Sequence, residues 1–507
     1  MVPFDIAMRK QKRKPSIYHF KLHSMNKRSF TMQSLLSMQI CSALLLCGCA
    51  QHKQHQKPGI TTLGTTQHPG TTGKVSVIEF DSNGTYWDKQ QLRESLKRIR
   101  ATPKPLLITF VHGWRHNARP DDPDLQQFAE FIAHLDKNKA KLAGGFTPIG
   151  LYIGWRGASI NEHPTCLSWL TTLPALFSFW NIKHGTDRVA LRGDLGHALT
   201  QTTAAAWNPG GGKSVMIGHS FGGRILEMVS SNQAGVQTGD LAQFKPLADL
   251  VVLINPASES LNARQTKLSL EGWDKPYPLI IAVGSQNDRP NGTFWSWGYN
   301  LGRQPRTRDY HIPVPSGQLI EKQKTFLNTT VTNDQRQITH LLVPITGNTA
   351  PADGAAHSFF AKKRAVAEPA TKSAAAASSI NLAKPAQNDE RTLWLHTSND
   401  PNPEHRYPFR FTHRDANTVR DVKYVYDSKA YWVLQVPESI LSGHGGDRKE
   451  GHGGVLNLSM TDLVEALLSS ASLEKSRVLS TPQNATTSGD SPKAILTPQG
   501  RSNLPAP

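Results

Sequence analysis

The chain has 507 residues, enough for about three domains at roughly 150 residues each or for one large, embellished α/β body. Hydrophobic residues at 38%, charged residues at 19% and a mean hydropathy of -0.43 exclude a polytopic membrane protein, and 11 Trp exclude a wholly disordered chain. The net charge of +18 is unevenly spread, with eight basic residues against the single Asp5 in residues 1–49. No compact stripe of Lys and Arg interleaved with aromatic residues follows, so no nucleic-acid partner is expected, and a basic surface near anionic lipid is the simpler reading.

Met25 opens a short basic stretch, Asn26-Lys27-Arg28, which is followed by the mostly apolar run Leu35 to Leu46 and then by Leu46-Cys47-Gly48-Cys49. Basic, apolar, then small is the order of a secretory signal, and the run is shorter than the ~20 residues that a membrane span needs. Residues 1–24 then precede the better start. The tetrapeptide Leu46 to Cys49 resembles the bacterial lipobox, which implies that residues 1–49 are a lipoprotein signal segment and that Cys49 carries lipid as the mature N-terminus. Ala50 in place of Asp points, by the same resemblance, to the outer membrane. Of the four cysteines only Cys166 would remain a free thiol, leaving no intrachain disulfide.

Residues 50–74, rich in Gly, Thr, Gln and His, read as a flexible tether. Order is expected from Val75: a strand at Val75 to Phe80, a helix at Gln90 to Arg100, and a strand at Pro105 to Val111 whose unbroken apolar run suits burial on both faces. Asp121, Asp122 and Pro123 supply helix-start chemistry, and Leu125, Phe128, Ile132 and Leu135 share one helical face. A strand at Pro148 to Ile153, helical sequence to about Trp207, a strand at Ser214 to Ile217 and a helix from Phe221 to Ser230 continue the alternation. Leu250 to Ile254 and Leu279 to Val283 add two strands, and Tyr431 to Val436 arrives after an insertion at about 291–429 that contains the low-complexity linker 365–387. The closing helix takes Ser459 as N-cap, with Asp462 three residues on and Leu463, Val464, Leu467 and Leu468 as its buried stripe. Residues 478–507 read as a disordered tail. Alternating strands and helices predict a mainly parallel sheet covered on both faces.

Between the strand at Ser214 to Ile217 and the helix from Phe221 lies Gly218-His219-Ser220-Phe221-Gly222-Gly223. A serine projected beyond a sheet on a tight turn needs glycine on both flanks, because a side chain there collides with strand or helix. In this setting the chain resembles the α/β-hydrolase superfamily, and within it the bacterial esterase- or lipase-like members, over roughly Val75 to Ser470. The resemblance implies an eight-stranded, mostly parallel sheet within 75–477 and a Ser-His-acid triad in the chain order nucleophile, acid, histidine. Ser220 takes the place of the nucleophile. His112-Gly113-Trp114 ends a strand where the superfamily carries its oxyanion turn, which makes the amides of Trp114 and Phe221 the matching donors. The turn Gly154-Trp155-Arg156-Gly157 is a secondary candidate for a wall of the site.

For the acid, Asp288 follows the strand at Leu279 to Val283 and is favoured, with Glu259 as the alternative. For the base, two copies of His-Gly-Gly follow the strand at Tyr431 to Val436. His452 is chosen narrowly, since Val455 and Leu456 can pin it against the closing helix, and His444 is the alternative. The implied activity is hydrolysis of a small ester or lipid through an acyl-enzyme, by a lipid-anchored protein of the bacterial cell envelope, with no metal or organic cofactor. Thr165 to Trp180, with Cys166, is apolar enough for a lid or a core helix and divides the lipase from the esterase reading, and Trp295 and Trp297 are candidates for an acyl pocket. Asn208 to Ser214 precedes its strand, unlike a phosphate-binding loop. His444, Asp447, Glu450 and His452 make a weak metal set. The rival from another class is a catalytically inactive hydrolase-fold lipoprotein that acts as a binding module.

Overall fold

The computed structural model describes residues 54–64, 72–138 apart from 115, 145–157, 182–207 apart from 192, 211–236, 246–270, 278–285, 309–314, 317–322, 329–345, 391–397, 405–414, 428–441 and 456–467, together with 273, 288, 291, 292 and 295. The chain divides into two compact units, Met1–His52 and Lys53–Pro507, and every described residue lies in the second. Among the described residues no helix is long and apolar enough to cross a membrane.

The first strands are β1 (Ile60–Gly64), β2 (Thr72–Glu79), β3 (Pro105–Val111), β4 (Thr147–Gly154), β5 (Lys213–His219), β6 (Leu250–Ile254) and β7 (Ile280–Ser285). They are followed by β8 (Asp309–Val314), β9 (Gly317–Lys322), β10 (His340–Pro344), β11 (Arg391–Leu395), β12 (Tyr407–His413) and β13 (Tyr431–Val436). An eleven-stranded sheet runs β1-β2-β4-β3-β5-β6-β7-β13-β10-β12-β11, and β8 pairs with β9 apart from it. From β2 to β10 every neighbour is parallel, while β1, β12 and β11 each pair antiparallel with the strand beside them. The C-terminal ends of β3, β5, β6, β7 and β13 therefore share one edge, where a parallel α/β sheet gathers its functional loops.

All seven residues of β3 and all five of β6 are buried, as unbroken apolar runs require in a sheet covered on both faces. The helices are α1 (Lys89–Ala101), α2 (Pro123–Lys137), α3 (Leu195–Trp207), α4 (Phe221–Val236), α5 (Ser260–Ser269) and the short α6 (Glu438–Leu441). One core layer joins Leu92, Leu96 and Ile99 of α1 to Leu199 of α3 and to Ile225 and Leu226 of α4. The opposite layer joins Leu125, Phe128 and Ile132 of α2 to Met460, Leu463 and Leu467 of the helical residues 458–467. Asp88 caps α1 by accepting the Gln90 N–H at 2.8 Å, and Asp122 caps α2, with Pro123 supplying the fixed φ of a first helical residue.

Several expectations are corrected. The sheet has eleven strands instead of eight, because the stretch read as an insertion contributes β10, β12 and β11. The stretch expected as a tether contains β1. There the Glu79 carboxylate accepts the backbone N–H groups of His55 and Gln56, at 2.9 and 2.7 Å, and gives a polar segment buried partners that its composition did not reveal. The closing helix is capped by Asn457, whose Oδ1 accepts the Met460 N–H at 2.8 Å, and not by Ser459. Asp462 instead ties that helix to the far edge of the sheet, accepting from His396 Nδ1 at 2.6 Å and Arg406 at 2.7 Å. Residues 1–53, 365–387 and 478–507 lie outside the described residues.

Removing one partner of a buried charge network leaves the others unpaired. Asp462→Ala is expected to lower the unfolding free energy by about 3 kcal/mol, read from urea denaturation; a loss below about 1 kcal/mol, the size of an exposed pair, would show that this clamp contributes little.

Candidate active site

Strand β5 ends at His219, and α4 begins at Phe221, so one residue makes the whole connection. That residue, Ser220, takes φ +52°, a left-handed conformation that costs a non-glycine residue about 1–3 kcal/mol. The surroundings hold it there: the Ser220 N–H donates to the Ile254 carbonyl at 3.0 Å, and the Ser220 carbonyl accepts the Ala257 N–H at 2.9 Å. The flanking glycines are required by space. A Cβ at Gly222 would stand 2.1 Å from the Val111 carbonyl oxygen, and one at Gly218 2.8 Å from the Gly222 backbone.

The turn after β3 lies against this serine. A Cβ at Gly113 would come within 3.0 Å of Ser220 Cβ and 2.9 Å of His219 Nδ1, so the expected oxyanion turn and the expected nucleophile are in contact. Asp122 shapes the loop, accepting from the Asn117 N–H at 3.0 Å and from His116 Nδ1 at 3.1 Å while it caps α2. Tyr152 on β4 donates its hydroxyl to the Asn117 carbonyl at 3.0 Å. Below the elbow, Asp124 faces His116 Nε2 at 3.4 Å and His219 Nδ1 at 3.5 Å. Burial pushes the Asp124 carboxyl up, but these imidazoles outweigh it and hold Asp124 well below the usual carboxylate range.

The two candidate acids differ sharply. Glu259, at the N-terminus of α5, is paired with Lys183 at 2.8 Å and with Arg224, and Arg224 also binds Asp187. Burial raises the Glu259 carboxyl, yet these cations bring it to about 2, so it serves as counter-ion to the elbow helix. Asp288 is buried beyond the end of β7. The Asn291 side-chain amide donates to its Oδ2 at 2.7 Å and to the Asn255 carbonyl at 2.6 Å, and the Asn291 N–H donates to its Oδ1 at 3.1 Å. Asn255 opens the turn after β6, next to Ile254, which accepts from Ser220. A line of neighbours thus leads from Ser220 to Asp288 across the ends of β5, β6 and β7.

Phe221 is buried at the start of α4 with its ring 6.4 Å from that of Trp295, a fully buried core residue and not the wall of an open pocket. Trp114 is partly buried and packs against the same core. Gly154 to Gly157 touches the expected oxyanion turn through Trp155, whose backbone N–H donates to His112 Nε2 at 3.0 Å. His444, His452, Asp447, Glu450, Cys49, Cys166 with Thr165 to Trp180, and Trp297 lie outside the described residues. Among the described residues no group of three His, Cys, Asp or Glu could hold a metal.

Sequence reasoning missed Asn291 and Asp124. Asn291 stands three residues after Asp288, a spacing at which an Asn side chain turns back on an Asp, and Asp124 follows directly on the helix-start residues Asp121, Asp122 and Pro123 without being singled out. Arg224, four residues after Ser220, was also missed, since nothing local marks its partner Glu259.

No family model matches the chain, nor does any curated protein sequence. Among solved structures it is similar to esterase B from Lactobacillus rhamnosis inhibited by a C4-C4 SN3 tributyrin phosphonate, at 13% identity over 55% of this chain and 80% of that one, with a TM-score of 0.21. A C6-C4 SN3 inhibited form of the same esterase aligns at 12% identity over 54% and 80%, with a TM-score of 0.20.

Two outcomes follow from the geometry. Glycine relieves a left-handed φ and alanine does not, so Ser220→Gly is expected to be about 1 kcal/mol more stable than Ser220→Ala by urea denaturation; equal stabilities would show no strain at the elbow. For pH, burial lowers His112 to about 4 from 6.5, so acidification over that interval protonates the unfolded chain first and removes stability. Burial raises Glu227 to about 7 from 4.5, so the folded state takes its proton first and acidification from 7 to 4.5 adds stability. Glu227→Gln removes this second effect, and the variant is expected to lose stability more steeply than the wild type between pH 7 and 4.5; parallel curves would refute the raised Glu227.

Proposed function

We propose that this protein is a serine hydrolase of the α/β-hydrolase type that cleaves carboxylic esters, esterase- or lipase-like, and that it is anchored in the bacterial envelope through lipid on Cys49, with Ala50 favouring sorting to the outer membrane. The observation that carries the enzymatic reading is Ser220 at φ +52° in a one-residue connection between β5 and α4, with Gly113 of the candidate oxyanion turn against its Cβ. The anchor is supported by Leu46 to Cys49 alone.

In this reading Ser220 Oγ attacks the ester carbonyl carbon while a histidine of the segment after β13, His452 or its alternative His444, takes the hydroxyl proton. The oxyanion accepts hydrogen bonds from the Trp114 and Phe221 amides, and Asp288 steadies the imidazolium. The carbon–oxygen bond to the alcohol then breaks, the alcohol leaves with the proton from the imidazolium, and water attacks the acyl-enzyme with the same histidine as base. Asp288 is preferred to Glu259 because the Asn291 amides hold its carboxylate beyond the end of β7, whereas Glu259 is taken up by Arg224 and Lys183. The parallel series from β2 to β10, with Ser220 just after β5, Asp288 beyond β7 and the candidate histidines later in the sequence than β13, agrees with the same reading.

A fluorophosphonate is expected to label the wild-type protein at Ser220, and Ser220→Ala to abolish the adduct, read by peptide mass spectrometry. Replacement of Asp288 by Asn is expected to lower kcat by about 10⁴-fold on p-nitrophenyl esters, and of His444 and His452, only the substitution that removes the base should match it. Folded protein that takes no label would instead support a binding module on a hydrolase scaffold, and a chain-length series of the same esters divides esterase from lipase.

A further inference from the structure

We propose that His112 is a positioning residue which, held in one tautomer by the Trp155 turn, fixes the Gly113–Trp114 peptide so that its N–H is presented to the oxyanion formed at Ser220. The inference rests on the serine-hydrolase reading above and assigns the device that prepares its oxyanion site.

His112 is fully buried at the end of β3, stacked on the Trp155 indole with ring centroids 5.4 Å apart and planes 10° from parallel. Its two nitrogens have different partners. Nε2 faces the Trp155 backbone N–H at 3.0 Å, and because that group only donates, Nε2 must accept and the ring proton must sit on Nδ1. Nδ1–H then donates to the Gly113 carbonyl at 2.9 Å. The Trp155 indole N–H donates in return to the His112 carbonyl at 2.8 Å, so two hydrogen bonds join the two turns and a third, within the His112–Trp114 turn, ties the ring to the Gly113 carbonyl.

The consequence follows from peptide planarity. The Gly113 carbonyl and the Trp114 N–H belong to one trans peptide, in which they point in opposite directions. The carbonyl is turned to the Trp155 side, since a Cβ at Gly157 would stand 2.7 Å from its oxygen. The Trp114 N–H is thereby turned away from the Trp155 side, while Gly113 itself borders Ser220 Cβ. An oxyanion site works when its donors are fixed before charge develops, and rotation of this peptide by half a turn would offer the carbonyl in place of the donor. Burial also keeps the ring neutral, in keeping with its accepting from Trp155.

The substitutions that separate the two nitrogens are Asn and Gln. His112→Asn places an amide donor where Nδ1–H stands and loses the acceptor for Trp155, whereas His112→Gln places an acceptor near Nε2 and loses the donor to Gly113. On p-nitrophenyl butyrate, His112→Ala and His112→Gln are expected to lose about 10²-fold in kcat with KM changed less than about threefold, the pattern of a lost transition-state contact. His112→Asn is expected to recover at least about tenfold of that loss. Circular dichroism melting on each variant separates this from unfolding. If His112→Asn is as slow as His112→Gln while both remain folded, or if His112→Ala raises KM and leaves kcat intact, the positioning role is overturned. Fluorophosphonate labelling of the wild type keeps the two failures apart: no adduct at Ser220 overturns the hydrolase reading and the role with it, whereas an adduct together with a normal kcat in His112→Ala overturns the role alone.

Discussion

Ser220 sits in a left-handed bend that its own side chain disfavours, and the rest of the site is arranged around keeping it there. Hydrogen bonds from its N–H to Ile254 and from Ala257 to its carbonyl fasten both sides of the bend to β6 and the turn that follows. The helix that leaves the bend is fastened too, since Arg224 in its first turn is bound by Glu259 and by Asp187. A bend costing a few kcal/mol persists only where its neighbours over-determine it, and here they come from β6, from α5 and from the helical residues 182–191. One face of the elbow is thus polar and ionic, in contrast with the apolar layer that holds α4 further along through Ile225, Leu226 and Val229.

That polar face also explains the unusual carboxyl groups. Glu227, one turn after Arg224, is fully buried and meets two hydroxyls, Tyr431 of β13 at 2.5 Å and Ser258 of the turn after β6. Neutral donors do not offset the loss of water, so burial dominates and the carboxyl rises. Glu259, equally buried, meets two cations and falls. Two glutamates with the same burial are driven in opposite directions by the charge of their partners, so burial alone does not mark a carboxylate for catalysis. The link from Glu227 to Tyr431 has a structural use, since it joins the elbow helix to β13, the strand after which the candidate histidines follow.

Much of the parallel core was legible because its physics is local. Pro105 to Val111, Leu250 to Ile254 and Tyr431 to Val436 are strands within the bounds their apolar runs imply, and Asp122-Pro123 starts its helix as cap and first residue. The glycine pattern around Ser220 was legible for the same reason, since each glycine answers a collision within a few residues or with the adjoining strand. What was not legible depends on partners distant in sequence. The segment around Gln56 is polar and has no periodicity, and it is ordered because Glu79 and Gln91 lie where its N–H and carbonyl groups need them. Ser459 and Asp462 fit a capping pattern, but Asn457 is better placed and His396, 66 residues away, claims the aspartate. The sheet's growth to eleven strands is of the same kind, because short strands such as β10 and β11 declare themselves only through their pairing.

The arrangement of the two turns at the end of β3 and β4 shows how a parallel sheet fixes the loops at its edge. β3 ends at Val111, paired with Ile153, and β4 runs one residue further to Gly154, so His112 and Trp155 are the first residues beyond two adjacent parallel strands. Each then satisfies groups that a strand end leaves open: the Trp155 N–H, the His112 carbonyl and the Gly113 carbonyl all find partners within this pair. A buried peptide whose carbonyl is committed in this way has no second orientation of comparable energy, since turning it would leave an acceptor and an imidazole donor unpaired at once. The rigidity of the turn after β3 therefore comes from the ordinary demand that buried polar groups be paired, and β4, which carries no candidate catalytic group, contributes to the candidate site through that demand.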